Sequence, residues 1–394
     1  MLNLKTNSKL DPISQVVNRV KVDRRGGTLD LSIGYYESEG EHHTGFSVLD
    51  DTKSSLPSIG INFSILGLEQ YRDAVKTLIT NENNSSHTLS TVQTIGASGG
   101  LWLAFLILKR EGGAKRVWFS NPTWGNHLDI AKNTGLEIIR YQYDLTDVGN
   151  LNFNAVKQSL GDLEKNDILV VQGCCHNPCG IDFTMFQWNE IAKIAQRKSA
   201  YIVVDFAYFG LSKSFKEDKK ILIPLLNNLN NLFVINSFSK NLGLYCERLG
   251  ALSFFSRSKD EVQSFDGYAK SIIRSTYSMP PQLLAGQVAH VISNVEIFDK
   301  WIDEVAIVRD TLYMRKEILI NTLETSGLAH LVSNTKSNGM FLNLLLSSEE
   351  IEQLVVQFGI YILGNGRLSL AGLQKKDINK LVEAISQVKT KRVF

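Results

Sequence analysis

The chain has 394 residues, room for two or more domains with substantial cores. Hydrophobic residues make up 43% and charged residues 21%, ordinary for a soluble globular protein rather than a disordered or membrane-spanning one. A net charge of +2 supplies no basic field for nucleic acid, and the longest purely apolar run, residues 101–108, is far too short to cross a bilayer.

The first residues contain no apolar signal core, so the expected location is the cytoplasm. Residues 1–14 read as a polar arm. A helical pattern over 11–20 has an acidic cap and Pro12 in its first turn. Residues 29–33 alternate like a strand and end at Gly34. The polar, punctuated stretch 37–61 reads as a long loop, of the kind that often serves as a lid. A helix is expected over 68–78. Then Gly96-Ala97-Ser98-Gly-Gly100 opens the apolar stretch 101–108, which reads as a buried helix. Such a turn offers backbone N–H groups and the positive end of a helix dipole, a seat for phosphate. Tight packing would call for the same glycines.

Short apolar runs follow, separated by helical segments: 117–119, 137–141, 168–171, 201–204, 232–235 and 251–255. Most are continuous, as in strands covered on both faces, which indicates an α/β fold with a mainly parallel sheet. Ligands of such sheets sit beyond the carboxyl ends of the strands. The residues after four of these runs therefore stand out: Trp124 and His127, then Gln172 to Asn177, then Asp205 and Tyr208, then Ser237, Ser239 and Lys240. Lysine is nearly always solvated. Between two buried strands it suggests imine chemistry, because low-dielectric walls weaken its hold on a proton. The serines and Arg248 could hold an anion beside it; a surface loop with ordinary charges is the alternative. From Pro280 the pattern turns helical, through 287–323. Strand-like stretches over 338–344 and 360–370 and a helix over 376–388 complete a smaller domain built from both ends of the chain.

Three of the four cysteines crowd into Cys174-Cys175-His176-Asn-Pro-Cys179. A metal centre with His176 is one reading. Adjacent cysteines are not the spacing of a zinc knuckle and no second pair completes one, so buried thiols are favoured and no metal is assigned.

Seven stretches in order carry a resemblance to the class I pyridoxal-phosphate aminotransferases, most closely the aspartate/aromatic group. They are Asn121-Pro-Thr-Trp-Gly-Asn-His127, Gly173-Cys-Cys-His-Asn-Pro-Cys-Gly180, Asp205-Phe-Ala-Tyr208, Ser237-Phe-Ser-Lys-Asn241, Glu247-Arg-Leu-Gly250, Arg274-Ser-Thr-Tyr-Ser-Met-Pro-Pro281 and Asn365-Gly-Arg-Leu-Ser-Leu-Ala-Gly372. The resemblance runs from about residue 11 to the end. It implies the type I fold of that enzyme class: a large α/β domain with a mainly parallel mixed sheet between helices, plus a smaller α+β domain. The boundaries it suggests are an arm over 1–14, small-domain parts over 15–45 and 308–394, and a large cofactor domain over 46–307.

The resemblance also implies roles. Lys240 would carry pyridoxal 5′-phosphate as a Schiff base and then move the substrate proton. Asp205, backed by His127, would pair with the pyridine nitrogen. Tyr208 and Asn177 would bond the ring oxygen, and Trp124 would stack on the ring. Gly96, Ala97, Ser98, Ser237, Ser239 and Arg248 would line the phosphate seat. Catalysis would rest on Lys240, Asp205, Tyr208 and Trp124; substrate would meet Gly34, Trp124, Asn177, Arg274, Phe341 and Arg367. Arg367 would clamp the α-carboxylate. Arg274 would reach the other subunit's site in a homodimer and hold a distal carboxylate, an interface salt bridge being the alternative for it. The reaction implied moves an amino group between glutamate, aspartate or an aromatic amino acid and a 2-oxo acid. A lyase or specialised transaminase with a bulky or basic substrate is the alternative, against which the two carboxylate-clamping arginines argue. This chain departs from the family at Phe63, which replaces an interface tyrosine, and at Gln172, which replaces a usual histidine. The stretch 35–43 is more aromatic and acidic than usual, with Glu37 and Glu41 able to favour a basic side chain.

Overall fold

The computed structural model describes residues 12–40, 46–52, 64–80, 86–144 and 149–390. Most of the arm expected over 1–14, stretches 41–45 and 53–61 of the expected loop, Glu41 and Phe63 lie outside the described residues. The chain forms two units, one from Met1–His43 with Thr311–Phe394 and one from Thr44–Asp310.

Among the described residues the strands are β1 (Leu29–Asp30), β2 (Thr88–Ile95), β3 (Arg116–Asn121), β4 (Glu137–Gln142), β5 (Ile168–Gln172), β6 (Tyr201–Phe206), β7 (Asn231–Ser237), β8 (Leu249–Ser256), β9 (Phe341–Asn343), β10 (Ile360–Tyr361) and β11 (Arg367–Ser369). In the larger unit, β2 to β8 form one sheet in the order β2-β8-β7-β6-β5-β3-β4. The pairs β3–β4, β3–β5, β5–β6 and β6–β7 are parallel; β8 is antiparallel to both β7 and β2. The continuous apolar runs explain the middle of this sheet: β5 and β8 are buried at every position, as expected where helices cover both faces. The helix Gly96–Arg110 buries Leu101, Leu103, Ala104, Phe105, Ile107 and Leu108 in the core with Val117, Val170, Val203, Ile235 and Leu252.

The six apolar runs correspond to β3 to β8. The seventh strand, β2, reads Thr-Leu-Ser-Thr-Val-Gln-Thr-Ile and carries no apolar run. Its Ser90, Thr91, Gln93 and Thr94 are nevertheless buried. Each has a partner: the Asp266 carboxylate, the Ser253 hydroxyl, the Leu68 N–H with the Pro281 carbonyl, and the Gly96 carbonyl. Burial of polar groups is tolerable once they are bonded. The single helix expected over 287–323 is two, Leu283–Ser293 and Val295–Thr325. Asn294 divides them: its N–H ends the first by donating to His290, and its Oδ1 caps the second by accepting from Ile297 N–H.

In the smaller unit β1 pairs with β10 in parallel and β9 with β11 antiparallel. The helix Ser348–Phe358 starts in a capping box between Ser347 and Glu350 and ends at Gly359 in the left-handed conformation. The carbonyl of Gly359 then accepts from Leu29 N–H, joining the two distant ends of the chain. Among the described residues no helix is long and apolar enough to cross a membrane.

A close backbone approach in the larger unit is at Gly250. A Cβ there would lie 2.7 Å from the Asn236 carbonyl oxygen and 2.7 Å from the carbonyl carbon of Gly96. Gly250→Ala is expected to lower stability by about 1–3 kcal/mol through overpacking, read from the midpoint of urea unfolding; an unchanged midpoint would show that the strands part without cost.

Candidate active site

Strands β3, β5, β6 and β7 run in one direction, so their carboxyl ends share a rim. Because β8 is antiparallel to both neighbours, β2 points the same way as β7, and the start of β8 lies at that rim too. In register, Ile95 faces Leu249 and Ser237 faces Gly250. Residues from six separate stretches therefore come together: Trp124 and His127, Asn177, Asp205 and Tyr208, Ser237 to Lys240, Gly96 to Ser98, and Arg248.

One end of the site is acidic. Asp205, buried near the end of β6, accepts from the Ala207 N–H at 2.9 Å through Oδ1 and lies 2.9 Å from His127 Nε2 through Oδ2. Thr123 Oγ1 sits 2.9 Å from the other ring nitrogen of His127. The imidazole packs flat on Phe119, at 5.3 Å between ring centres, and against the edge of Trp124 at 5.2 Å. The carboxylate is thus held from two sides and the imidazole from four. Tyr208 is buried beside it, with the Asn177 amide donating to its hydroxyl at 3.4 Å.

The other end is cationic. The helix Gly96–Arg110 has no side-chain cap at its N-terminus, which leaves its first N–H groups for another acceptor. Gly96 has φ +71° and lies so close to the Arg248 guanidinium that a Cβ would collide with it. Arg248 itself has φ +56°, a left-handed backbone that costs a non-glycine residue about 1–2 kcal/mol. Its Nη1 donates to Ser239 Oγ at 3.1 Å and to the Tyr245 carbonyl at 2.9 Å. Ser237 Oγ accepts from the Ser239 N–H.

Lys240 follows Ser239 directly in the chain, its Nζ 4.6 Å from the centre of the Tyr245 ring. Its neighbours are anchored. Phe238 N–H donates to Leu249, the Asn241 amide to the Phe209 carbonyl, and the Trp301 indole to the Asn241 carbonyl.

Five positions are organised in ways the motifs did not reveal. Gln172 grips both backbone groups of Asn177: its Oε1 accepts from the N–H at 2.8 Å and its Nε2 donates to the carbonyl at 3.1 Å. Asp182 accepts from the N–H groups of Cys175 and His176. His176 stacks on Tyr143 at 4.1 Å between ring centres, its Nε2 2.8 Å from Ser120 Oγ. Burial raises the Cys174 thiol well above its ordinary value and the Cys179 thiol to about 12. Among the described residues no group of three His, Cys, Asp or Glu side chains is placed to hold a metal ion. Only the spacing from Cys175 to Asp182, spanning a tight turn, could have suggested the carboxylate's part.

Gly34, Phe341 and Arg367 meet in the smaller unit. Arg367 is buried on β11, with Nη2 donating to the Ser32 carbonyl at 2.7 Å and the guanidinium 4.1 Å from the Phe341 ring centre. A Cβ at Gly34 would come within 2.7 Å of the same ring, so the backbone passes directly against it. Arg274, exposed near the end of the helix Lys259–Thr276, donates to the Ser278 hydroxyl.

The profile of the family described as aminotransferase class I and II matches residues 27–385. The chain belongs to that family. This aminotransferase is 32% identical to the aspartate aminotransferase of Escherichia coli K12, over 97% of its own length and 98% of the relative's. It is 29% identical to the aromatic-amino-acid aminotransferase of Paracoccus denitrificans, over 98% and 99%. Among solved structures, the aromatic-amino-acid aminotransferase of Burkholderia pseudomallei, covalently bound to pyridoxal phosphate, superposes with a TM-score of 0.89 at 27% identity, covering 98% of this chain and 99% of that one. The fold of the aminotransferase is thus a mainly parallel, mixed sheet flanked by helices in the larger unit.

The donor set of the aminotransferase fits a phosphorylated, nitrogen-containing aromatic ring. An anchored carboxylate can meet a protonated ring nitrogen; the uncapped helix start, the hydroxyls and the guanidinium can meet a phosphate; the Trp124 indole, packed against His127, offers a flat face, and Lys240 next to Ser239 offers a primary amine.

The aminotransferase also has a pH signature of its own. Burial, with His127 nearby, lowers the His176 imidazole from 6.5 to about 3. Between those values the unfolded chain binds the extra proton, so this contribution to stability is lost as pH falls. Asp182 acts in the opposite sense. Burial pushes it from 3.8 up to about 6, so its contribution is lost as pH rises through that window. His176→Gln is expected to remove a loss of up to about 1.4 kcal/mol per pH unit between roughly pH 6 and 4. Urea unfolding at stepped pH measures it; an unaltered slope would mean that His176 titrates freely.

Proposed function

We propose that this enzyme moves the amino group between an L-amino acid, with glutamate as donor and aspartate or an aromatic amino acid as its counterpart, and a 2-oxo acid. The observation that supports the reading is that the same strand rim carries the Asp205–His127 pair and the Arg248–Ser239 cluster at the bare helix start, with Lys240 next to Ser239 on an anchored turn. The cofactor of this reading is pyridoxal 5′-phosphate. When bound, it supplies an aldehyde that links to amines and a ring that withdraws electrons from the substrate Cα.

The chain's own residues do the rest. Gly96, Ala97, Ser98, Ser237, Ser239 and Arg248 hold the phosphate, with the guanidinium as counter-charge. Asp205 holds the proton on the ring nitrogen, and His127 keeps the carboxylate aimed. Asn177 and Tyr208 donate to the ring oxygen. Trp124 covers the ring face and excludes water. Lys240 Nζ takes the proton from the substrate Cα and returns it on the other side of the transfer. Arg367, on the Phe341 ring and beside Gly34, clamps the α-carboxylate. In a cytoplasmic homodimer, Arg274 clamps the distal carboxylate of the partner site's substrate. The larger unit then corresponds to the cofactor domain and the two chain ends to the smaller one.

Two measurements test the reading. Lys240→Ala is expected to abolish the borohydride-reducible absorbance of the loaded enzyme, and retention of that absorbance would refute the lysine's role. Arg274→Ala is expected to lower kcat/KM for glutamate by about 10²-fold, the loss of one charged hydrogen-bonding partner, while an aromatic amino acid keeps its rate. Unchanged glutamate kinetics would remove Arg274 from the substrate site.

A further inference from the structure

We infer that Arg315 is a positioning residue for the carboxylate clamp: its buried guanidinium pins the segment 36–39 to the end of the chain stretch that carries Arg367. The inference rests on the reading of Arg367 as that clamp.

Arg315 lies on the helix Val295–Thr325 and is 0% exposed. An arginine is rarely buried unless its charge and donors are matched. Here they are matched across two remote parts of the chain. Nε donates to Glu39 Oε1 at 2.7 Å, Nη2 to the Glu37 carbonyl at 2.6 Å, and Nη1 to the carbonyls of Leu370 at 3.1 Å and Ala371 at 2.7 Å. The Tyr36 ring centre lies 5.3 Å from the guanidinium. The second oxygen of Glu39 accepts from the Lys375 N–H at 3.2 Å. One planar fork thus gathers a carboxylate and three carbonyls.

The two stretches it joins are the ones that shape the clamp. Ser369 N–H donates to the Leu31 carbonyl at 2.8 Å, and Glu37 N–H to the Ala371 carbonyl at 3.1 Å. Arg367 reaches the Ser32 carbonyl on the same seam. Arg367 sits at one end of this seam and Arg315 closes the other. The spacing between Arg367's strand and the carbonyl that orients it is therefore set where Arg315 ties both. Without the fork, the carbonyls of Glu37 and Leu370 lose these donors and the seam can part. A lysine offers no planar fork and cannot span the same acceptors.

An arginine that served folding alone would change the melting temperature and leave carboxylate binding as it is. A positioning arginine changes binding of the one carboxylate that all substrates share. The test is calorimetric titration of the pyridoxal-phosphate-loaded enzyme with succinate and with 3-phenylpropionate, neither of which can exchange an amino group. Arg315→Lys and Arg315→Met are expected to weaken both ligands by about tenfold. KM should rise by similar factors for glutamate and for an aromatic amino acid, with kcat changed less than KM. A lower melting temperature with both dissociation constants unchanged overturns the inference. Should Arg315→Met fail to fold, Glu39→Gln decides, because Glu39 is partly exposed and its replacement spares the carbonyl contacts: weaker binding of both ligands supports the tie, unchanged binding overturns it. Arg367→Lys is run in parallel. If it leaves both constants unchanged, the clamp reading itself falls; if it weakens both while the Arg315 variants do not, only the present inference falls.

Discussion

The site depends on the placement of β8. Inserted antiparallel between β2 and β7, it turns the rim of a parallel sheet into a closed seat, because it brings Arg248 back against the start of the helix Gly96–Arg110. A parallel strand in that place would deliver its first residue to the opposite edge. The approach is possible only because Gly250 and Gly96 present bare backbone to one another. The donors at that end of the site meet through this packing: the guanidinium of Arg248 and the nearby hydroxyl of Ser239 converge with the uncapped N–H groups of a helix remote from both in sequence.

Asp205 and Asn177 are each held from more than one direction, so their orientation is fixed before any ligand arrives. Asp205 is held by a backbone N–H and by His127, which is itself wedged between aromatic rings. Asn177 is held through both of its backbone groups by Gln172. Asp182 straightens the turn behind it by taking two N–H groups. The thiols and imidazole packed there are kept neutral by burial, which explains why a stretch with three cysteines and a histidine has the composition of a metal site without its geometry.

Much of this was legible in the residues themselves. Continuous apolar runs marked six strands, since sheets covered on both faces need them, and the polar residues just after those runs were the ones that reached the rim. Lys240 stood out because a lysine between buried strands demands a reason. What the sequence hid was polar burial. β2 is made of serine, threonine and glutamine whose partners, Asp266, Ser253 and Pro281, are remote in the chain, so no local pattern announces a strand. The break at Asn294 was hidden in the same way, because an asparagine inside an apolar-periodic stretch signals a cap only once its bonds are known. Gln172 reads as a departure from the family pattern, yet its carboxamide spans one residue's N–H and carbonyl together, a geometry that composition cannot convey.

The seam in the smaller unit joins residues at opposite ends of the polypeptide: Ser32 and Arg367 are 335 positions apart when they bond. During synthesis the lysine-bearing unit, Thr44–Asp310, leaves the ribosome complete while the amino-terminal half of that seam still has nothing to pair with. The two halves of the seam therefore pair only after the final stretch emerges. On the proposed reading of Arg367, a product cut short before it would retain Lys240, Asp205 and Arg248 but lack the carboxylate clamp.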